Sequence, residues 1–512
     1  MPGFRYDATP PTDPSRCRPV CHFTPPAGWM NDPNGLVHHA GEWHLYYQHH
    51  PGSLVWGPMH WGHAVSRDLL VWDHLGVALA PDEHGTIFSG SAVVDTEGVA
   101  GHGAGTLLAF HTYHRGRDRG QAVAYSRDAG RTWARSADDP ILLPVDDGPD
   151  FRDPTVLRYH DASGVSWWVL LLAAGSHLRW YRSDDLRHWT PTGTFSDPDV
   201  PRTSGAPGVP ELGVFETPEL FELPVDDGPE RAWVLSVGHL TGGPQGGSGS
   251  RYLTGRFDGE RFTPDEADGE VRFSDHGADL YALQSWSNAP DGRRVWVGWM
   301  SNWAYAERTP ASTWRGSMSI PRELGLTRGA DGRLRLVQTP VRELTRAHVP
   351  LVDLHDPSLT ELTAALAGVR GACLDLELEL EVGLACAADG RIALVLEREG
   401  TGPVRVELDA ASGRLIVDRR AAPPVPDALE PDHAVADRQE SPPIHRRDVV
   451  DLRILIDTHC LEVFADGGAV TLTNLLWPAP LVTGVRLELG AARLTRLHLA
   501  AVDPEAIGHA GW

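Results

Sequence analysis

A turn followed by a tryptophan recurs in the first part of the chain at a spacing near 60 residues. Each copy is a Ser-x-Asp turn and a downstream Trp, and the copies span 66–72, 126–133 and 183–189, starting 60 and 57 positions apart. The Ser and Asp side chains can bond their own backbone, and the Trp can pack between sheets. Short strands at this period over roughly 330 residues predict about five units, which is a five-bladed β-propeller. Three unrelated hairpins in a β-sandwich are the alternative.

The hydrophobic pattern changes in the last third of the chain. Residues 373–382 alternate strictly between apolar and polar, and shorter alternating runs continue to residue 489. Alternation with period two indicates strands with one buried face, as in a β-sandwich. The best helix candidate is 359–366. The sequence therefore predicts an all-β chain with a five-bladed β-propeller over 1–345, a linker over 346–360 and a C-terminal β-sandwich over 361–512.

The charge composition excludes several classes of function. The chain has 69 acidic and 45 basic residues, a net charge of −24, and every basic residue is Arg because the sequence has no Lys. A field of this sign repels nucleic acid and anionic membranes, so neither is expected as a partner. Without Lys there is no Schiff-base chemistry and no P-loop lysine.

Five cysteines occur, and their number and spacing predict neither a disulfide framework nor a metal site. They are Cys17, Cys21, Cys373, Cys386 and Cys460. A chain this long with so few cysteines, and an odd number, is not typical of a disulfide scaffold. Cys17, Cys21 and the adjoining His22 could suggest a metal, but no second pair at zinc spacing is evident. We expect no metal and no organic cofactor.

The N-terminal residues carry no apolar segment of the secretory type. They read MPGFRYDATPPTDPS, and no stretch of the chain approaches 18 consecutive apolar residues. The expectation is a cytoplasmic protein, or a secreted one if its natural form carries a leader that this sequence lacks.

Three segments place a carboxylate beside groups that can tune its pKa. Asp32 stands in a turn within WMNDPNG, between aromatic and amide groups. Asp153 follows Arg152, whose positive charge favours the ionised carboxylate. Glu216 follows two apolar residues, so partial burial can raise its pKa toward the range of a general acid. Glu219 is a rival for that role. A surface turn and a surface ion pair are the alternatives for the first two segments.

In this order, these segments resemble glycoside hydrolase family 32, the β-fructosidases. The matching blocks are WMNDPNG (29–35), HWGHAVSRDL (60–69), FSGS (88–91), FRDP (151–154), FETPELFELP (215–224), ADLYALQSW (278–286), GWMSNWAYAERTPASTWRGSMSIPREL (298–324) and LEVFADGG (461–468). The resemblance covers residues 20–500, and the block at 298–324 is more similar to exo-acting levanases and exo-inulinases than to plant invertases. It implies the same fold that the repeat predicts.

The resemblance also implies roles for individual residues. Asp32 matches the family's nucleophile, Asp153 its transition-state stabiliser and Glu216 its general acid/base. The residues that match the fructose pocket are Asn31, Gln48, Trp56, Phe88, Ser91, Arg152 and Trp314, and we expect Asp279 to reach the sugar as well. Thr217 replaces the family's usual Cys beside the acid/base, which leaves the balance between hydrolysis and transfer open.

The function implied is that of a retaining exo-β-fructosidase. It would hydrolyse terminal β-D-fructofuranosyl residues of levan, inulin, fructo-oligosaccharides or sucrose through a covalent fructosyl-enzyme. A fructosyltransferase using the same site, including an intramolecular one that forms a cyclic difructose, is the alternative. A non-catalytic carbohydrate-binding protein is a third alternative. The presence of all three carboxylates argues against it. The oligomeric state is unknown from the sequence.

Overall fold

β-Strands make up most of the regular structure of this chain. The computed structural model describes residues 18–116, 118–144, 150–196, 213–226, 228–265, 271–311, 313–382, 391–422, 435–444, 448–476 and 481–507. Cys17 and Cys386 lie outside these residues. Within them, no helix is both long and apolar enough to cross a membrane.

Five antiparallel sheets, here called blades I to V, form the predicted propeller. Blade I contains β1 (Gly28–His39), β2 (Glu42–His50), β3 (His60–Ser66) and β4 (Asp73–Leu79); blade II contains β5 (Thr86–Asp95), β6 (Thr106–Arg115), β7 (Asp118–Ser126) and β8 (Ala134–Arg135); blade III contains β9 (Arg152–His160), β10 (Ser166–Ala174), β11 (His177–Ser183) and β12 (Thr190–Ser196). Blade IV contains β13 (Phe215–Pro224), β14 (Arg231–His239), β15 (Gly249–Phe257), β16 (Phe262–Pro264) and β17 (Arg272–Phe273); blade V contains β18 (Tyr281–Ser285), β19 (Val295–Trp299), β21 (Arg322–Arg328) and β22 (Leu334–Pro340).

The repeated Ser-x-Asp turns join the third and fourth strands of blades I, II and III. In each turn the Ser hydroxyl donates to the Asp carboxylate, at 3.1 Å for Ser66, 2.8 Å for Ser126 and 3.1 Å for Ser183. Blade IV closes the same hairpin with Asp258 alone, which accepts from the backbone N–H groups of Glu260 and Arg261. The fourth turn lacks both the Ser and the Trp, so the sequence repeat does not extend to it.

The first strand of each blade lies innermost. β1, β5, β9, β13 and β18 contact one another in sequence around a central axis, and β18 contacts β1 to complete the circle. A short strand from the blade V segment, β20 (Trp314–Arg315), pairs in parallel with the start of β1. This pairing ties the last blade to the first.

The C-terminal domain is the predicted β-sandwich. Its six-stranded sheet has the order β23-β33-β24-β29-β30-β31 and its five-stranded sheet the order β28-β27-β26-β25-β32. The strands are β23 (His348–His355), β24 (Leu374–Glu381), β25 (Arg391–Arg398), β26 (Val404–Asp409), β27 (Arg414–Asp418), β28 (Arg438–Pro443), β29 (Val449–Asp457), β30 (Cys460–Ala465), β31 (Val470–Leu475), β32 (Val482–Glu488) and β33 (Arg493–Val502). Leucine, isoleucine and valine side chains from both sheets fill the space between them.

Helical structure is limited to short segments. The helix α1 (Leu359–Leu366) covers the residues predicted for it, and a capping box fixes its start: the Ser358 hydroxyl accepts from the Glu361 N–H while the Glu361 carboxylate accepts from the Ser358 N–H. The described 3-10 turns are Pro290–Gly292, Ala306–Arg308, Arg342–Ala347 and Asp466–Gly468.

The structure corrects the linker predicted over 346–360. His348–His355 is an edge strand of the sandwich and pairs with β33. The connection between the domains is instead the 3-10 turn Arg342–Ala347. Because β23 is an edge strand with Val349 and Leu351 each 45% exposed, its sequence lacks the alternating pattern that marks a half-buried strand.

A buried ion network joins blade V to the sandwich. The Arg322 guanidinium donates to Glu462 at 2.5 and 3.0 Å and lies 3.3 Å from Asp275, and all three side chains are buried. Glu462 also accepts from the Ile320 N–H at 2.7 Å. Burial favours the neutral form of Glu462, but the Arg322 cation, His22 and the Ile320 N–H together outweigh it and hold the pKa of this carboxyl below its usual value.

Substitution of Arg322 tests this network. Arg322→Met removes the guanidinium that lies between the buried carboxylates of Glu462 and Asp275, so we expect a loss of about 3–5 kcal/mol in the free energy of unfolding, measured by urea denaturation. Arg493 is the matched control, because it pairs with Glu381 and Asp356 but is 59% exposed. Arg493→Ala should cost less than about 1 kcal/mol. Equal, small losses for the two variants would contradict this view of the interface.

Candidate active site

Each innermost strand is irregular near its first residues. The pairing register shifts between Met30 and Pro33 in β1, between Ile87 and Gly90 in β5, opposite 171–173 in β9, between Glu216 and Glu219 in β13 and between Tyr281 and Gln284 in β18. β-Bulges redirect side chains and are common beside active sites. Asp153 and Thr217 have φ values of 60° and 45°, in the left-handed region that few non-glycine residues adopt.

Asp32 lies in the bulge of β1 and is 8% exposed. Its Oδ2 accepts from the Ser89 hydroxyl at 2.6 Å, and its Oδ1 accepts from the Asn31 amide at 3.0 Å. The Trp29 indole N–H donates to Asn31 at 2.7 Å, which orients that amide. Burial raises the pKa of Asp32, while the two donors oppose the rise by stabilising the carboxylate.

Asp153 lies in the bulge of β9 and is held by neighbouring strands. Its backbone N–H donates to the Thr112 hydroxyl at 3.0 Å, and its Oδ2 accepts from the Thr217 N–H at 2.9 Å. Burial raises the pKa of Asp153 to about 6, although the adjacent Arg152 cation acts in the opposite direction. The Thr217 contact links the Asp153 carboxylate directly to the strand that carries Glu216.

Glu216 lies beside two donors and two other carboxylates. Its Oε2 accepts from the Tyr281 hydroxyl at 2.8 Å, and its Oε1 is 3.1 Å from the Arg152 guanidinium. Burial raises the pKa of Glu216 to about 8; Arg152 opposes this, and the charges of Asp153 and Asp32 add to it. A group with this pKa holds its proton at neutral pH, as a general acid must.

Glu219, the rival for the acid role, lies in a different environment. Its Oε2 accepts from the Ser285 hydroxyl at 2.7 Å. Burial raises the pKa of Glu219 to about 7, while Arg294 opposes the rise. Its side chain lines a cavity of about 660 Å³ formed by the later parts of the inner strands. Glu216 and Glu219 therefore lie on opposite sides of the bulge that separates them.

Several predicted pocket residues lie around the three carboxylates or at their rim. Arg152 joins Glu216 to Asp150, whose carboxylate is 2.5 Å from the guanidinium. Trp56 is 42% exposed, and its ring contacts Phe88 edge to face at a centroid distance of 5.7 Å. Gln48 is buried and donates to the Ile87 carbonyl at 3.0 Å, so it supports the start of β5.

The structure places the other three predicted pocket residues elsewhere. The Ser91 hydroxyl accepts from the Val156 N–H at 3.0 Å, and the residue lines the same 660 Å³ cavity as Glu219. The Asp279 carboxylate is fully buried between Tyr305 of the propeller and Arg419 of the sandwich, so it joins the domains instead of facing a sugar. The Trp314 ring packs between Arg18 and His459, toward the sandwich.

Two residues in contact with the candidate catalytic carboxylates were not predicted. Ser89 binds Asp32, and Tyr281 binds Glu216. Both lie inside recognisable blocks, FSGS and ADLYALQSW, and both stand at the bulges of their inner strands. Their position at corresponding points of the blades is the signal that would have identified them.

No cluster of potential metal ligands was found at the carboxylates in the described part of the chain. The group compact enough to hold an ion is Cys21, Cys373 and Asp457, at the boundary between propeller and sandwich. The site around Asp32 and Glu216 is therefore a pair of carboxyl groups with different hydrogen-bond partners, and burial raises the pKa of both. Such a pair can carry out nucleophilic attack and acid catalysis together.

Comparison with known proteins gives matches to one family over both domains. The model for the glycosyl hydrolases family 32 N-terminal domain matches residues 22–340, and that for the family's C-terminal domain matches 344–499. A levanase of Bacillus subtilis (strain 168) is 42% identical over 484 residues, covering 93% of this chain and 68% of the relative. An extracellular exo-inulinase of Meyerozyma guilliermondii is 32% identical over 490 residues, covering 89% of each.

Solved structures agree with these matches. The exo-inulinase from Aspergillus awamori superposes with a TM-score of 0.80 at 29% identity, covering 98% of this chain and 99% of that one. A β-fructofuranosidase from Schwanniomyces occidentalis, complexed with fructosyl-erythritol, gives a TM-score of 0.82 at 26% identity, with 94% and 97% covered. Taken with the two domain models, these similarities establish that the chain belongs to glycosyl hydrolase family 32 and is a glycoside hydrolase.

Proposed function

We propose that this fructosidase is a retaining exo-enzyme that releases terminal β-D-fructofuranosyl residues from levan, inulin, fructo-oligosaccharides or sucrose. The observation that carries the proposal is the contrast between two carboxylates. Asp32 receives two hydrogen bonds that stabilise its ionised form, whereas burial raises the pKa of Glu216 to about 8. At neutral pH, one group can attack while the other donates a proton.

In the first step Asp32 attacks C2 of the terminal fructosyl unit. The bond from C2 to the leaving oxygen breaks, and Glu216 transfers its proton to that oxygen, which leaves a covalent fructosyl-enzyme. In the second step the Glu216 carboxylate takes a proton from water, the water oxygen attacks C2, and Asp32 is released. Two displacements at one carbon retain the anomeric configuration.

Asp153 and Arg152 support the charges that develop during this reaction. The Thr112 and Thr217 contacts fix the Asp153 carboxylate in the bulge of β9. A carboxylate held there stabilises positive charge on the fructosyl ring in the oxocarbenium-like transition state and can accept from ring hydroxyls. Arg152 lies 3.1 Å from Glu216 and stabilises its carboxylate after the proton has left.

The exo preference and the substrate class are supported by the rim and by the relatives. Trp56 and Phe88 offer apolar faces on which the C–H groups of a sugar can pack. The similar proteins include a levanase and exo-inulinases, and the block at 298–324 resembles the exo-acting enzymes.

Product analysis on levan, inulin and sucrose tests the proposal. We expect free fructose as the sole early product from both polymers, with no shorter oligosaccharides, because each attack removes one terminal unit. The measurement is chromatography of the products at low conversion. Early release of oligosaccharides from the polymers would contradict the exo assignment, and cyclic difructose or lengthened chains would show transfer instead of hydrolysis.

A pair of glutamate variants tests the acid/base assignment. Glu216→Ala should lower kcat/KM on sucrose by about 10²–10⁴-fold, because the leaving oxygen then departs without a proton. Fructosyl-enzyme formation from an activated fructosyl fluoride should fall far less, since fluoride needs little protonation. Added azide should restore turnover of that substrate by replacing base-activated water.

Glu219→Ala is the matched control for Glu216→Ala. Glu219 is also buried and also has a raised pKa, but it binds Ser285 on the other side of the bulge. Its variant should show no leaving-group dependence and no rescue by azide. The reverse pattern, with the dependence in Glu219→Ala alone, would mean that the two glutamates have exchanged roles.

The Tyr281 hydroxyl gives a prediction about pH. It donates to the Glu216 carboxylate, and this hydrogen bond stabilises the ionised form and so lowers the pKa of Glu216. Tyr281→Phe removes the donor, so the pKa of Glu216 rises and the acid form persists to higher pH. The alkaline limb of kcat/KM against pH should therefore move upward. Tyr46→Phe is the control, because its ring stacks on His63 in the propeller core. A downward shift, or an equal shift in both variants, would contradict the assignment.

A further inference from the structure

The cavity beside Glu219 is separate from the pocket around the three candidate catalytic carboxylates. All five inner strands line it, with residues at or after their bulges: Leu36, Ser91, Thr155, Glu219 and Gln284. Asp32, Asp153 and Glu216 are not among the described residues that line it. Its volume of about 660 Å³ lies within the range of small-molecule sites, which is roughly 300–1,000 Å³.

The cavity has a buried polar floor and an exposed mouth. On the floor, Glu219, Gln284 and Ser285 are only 6%, 2% and 7% exposed. At the mouth, Glu97 and Arg231 are exposed. Polar groups on such a floor depend on the protein, or on an occupant of the cavity, for their hydrogen bonds.

The Gln284 side chain is a floor group whose hydrogen bonds are incomplete. Its amide nitrogen is buried and has no hydrogen-bond partner within the described part of the chain. A buried amide N–H without an acceptor costs free energy, and the NH₂ group has two hydrogens to donate. Because Gln284 lines the cavity, an occupant with an acceptor oxygen can supply the missing bond.

An acid and a base stand on the floor with a serine between them. The Ser285 hydroxyl donates to Oε2 of Glu219 at 2.7 Å and accepts from the Arg294 guanidinium at 3.2 Å. Burial raises the pKa of Glu219 to about 7 and lowers the pKa of Arg294, and each group opposes the shift of the other. The floor therefore presents a hydrogen-bond acceptor and a strong donor side by side.

The charges that line the cavity favour a neutral occupant. Two ion pairs that line it, Arg158 with Glu97 at 3.4 Å and Arg231 with Glu222 at 2.6 Å, neutralise themselves. On the floor, an ionised carboxylate would repel an anion and the guanidinium would repel a cation. A neutral molecule that carries both donors and acceptors meets neither repulsion.

Aromatic rings form part of the cavity wall. Tyr159 and Trp233 both line it and are partly buried, and their ring centroids lie 5.9 Å apart. Trp168 lines it as well, with the Arg158 guanidinium over its ring. Rings beside polar side chains suit a ligand that has apolar C–H faces as well as hydroxyl groups.

We propose that this cavity binds a neutral mono- or disaccharide. Sugar hydroxyls donate to Glu219 and accept from the Gln284 amide and the Arg294 guanidinium, while C–H groups pack on Tyr159 and Trp233. An apolar ligand would leave the amide without an acceptor. The site uses none of the three candidate catalytic carboxylates, so it does not depend on the proposed function.

Crystals of the wild-type protein test the proposal directly. After soaks in D-fructose, D-glucose and sucrose, we expect density for at least one sugar in the cavity. Its hydroxyls should lie within hydrogen-bonding distance of Glu219 and Gln284. Water alone in the cavity after all three soaks would overturn the proposal, and so would occupation of the cavity by a buffer anion in place of sugar. The wild-type chain gives this answer even if a variant fails to fold.

Variants of the two sites separate them in solution. Gln284→Leu keeps the size of the side chain but removes its donors, and Arg294→Met removes the guanidinium. In titration calorimetry with D-fructose and D-glucose, each should weaken binding at the cavity at least about tenfold, because each loses a hydrogen bond to the sugar. The competitive inhibition of sucrose hydrolysis by fructose reports on the other pocket and should change by less than about twofold in Gln284→Leu.

Trp56→Ala is the reciprocal control, since Trp56 lies at the rim of the other pocket. It should weaken the inhibition by fructose and leave sugar binding at the cavity intact. Unchanged calorimetric binding in both Gln284→Leu and Arg294→Met would overturn the proposal. Equal losses of calorimetric binding and of fructose inhibition in every variant would show a single site and would also overturn it.

Discussion

Five inner strands meet around one axis, and each departs from regular pairing near its first residues. The side chains of the candidate active site depend on these irregular positions. Within the bulges, the chain directs Asp32, Asp153 and Glu216 toward one another from three different blades. A regular strand would alternate its side chains between neighbouring blades, and carboxylates from separate blades would not converge. The pairing of β20 with β1 joins the last blade to the first, and these two blades carry Tyr281 and Asp32.

Because the buried carboxyl groups lie close together, their pKa values rise, and a raised pKa is what a general acid needs. Burial favours the neutral forms, and each ionised carboxylate raises the pKa values of its neighbours. The structure resolves this by giving the groups different partners: neutral donors for Asp32, a backbone N–H for Asp153, and a phenol and guanidinium for Glu216. Three similar side chains thus acquire three different environments, as the three proposed roles require.

Much of the fold was predictable because its determinants are local. The Ser-x-Asp turns, the alternation in the sandwich and the helix at 359–366 each depend on residues close in sequence. The site is less local. A bulge shifts the alternation of side chains between the two faces of β5 by one position. For this reason Ser89 contacts Asp32, while Ser91 lines the cavity beside Glu219. The Asp279 carboxylate is held by Tyr305 and by Arg419, which lies 140 residues later in the sandwich, so its burial cannot be inferred from its own segment.

The central claim is that Asp32 forms the covalent bond to the sugar. The most direct measurement is rapid acid quenching of Glu216→Ala during reaction with fructosyl fluoride, followed by proteolysis and mass spectrometry. Loss of the general base slows release of the fructosyl unit, so the intermediate accumulates. We expect the peptide containing Asp32 to gain the mass of one fructosyl unit, and fragmentation to place it on that carboxylate. A fructosyl unit on Asp153 or Glu219, or turnover with inverted configuration and no adduct, would contradict it.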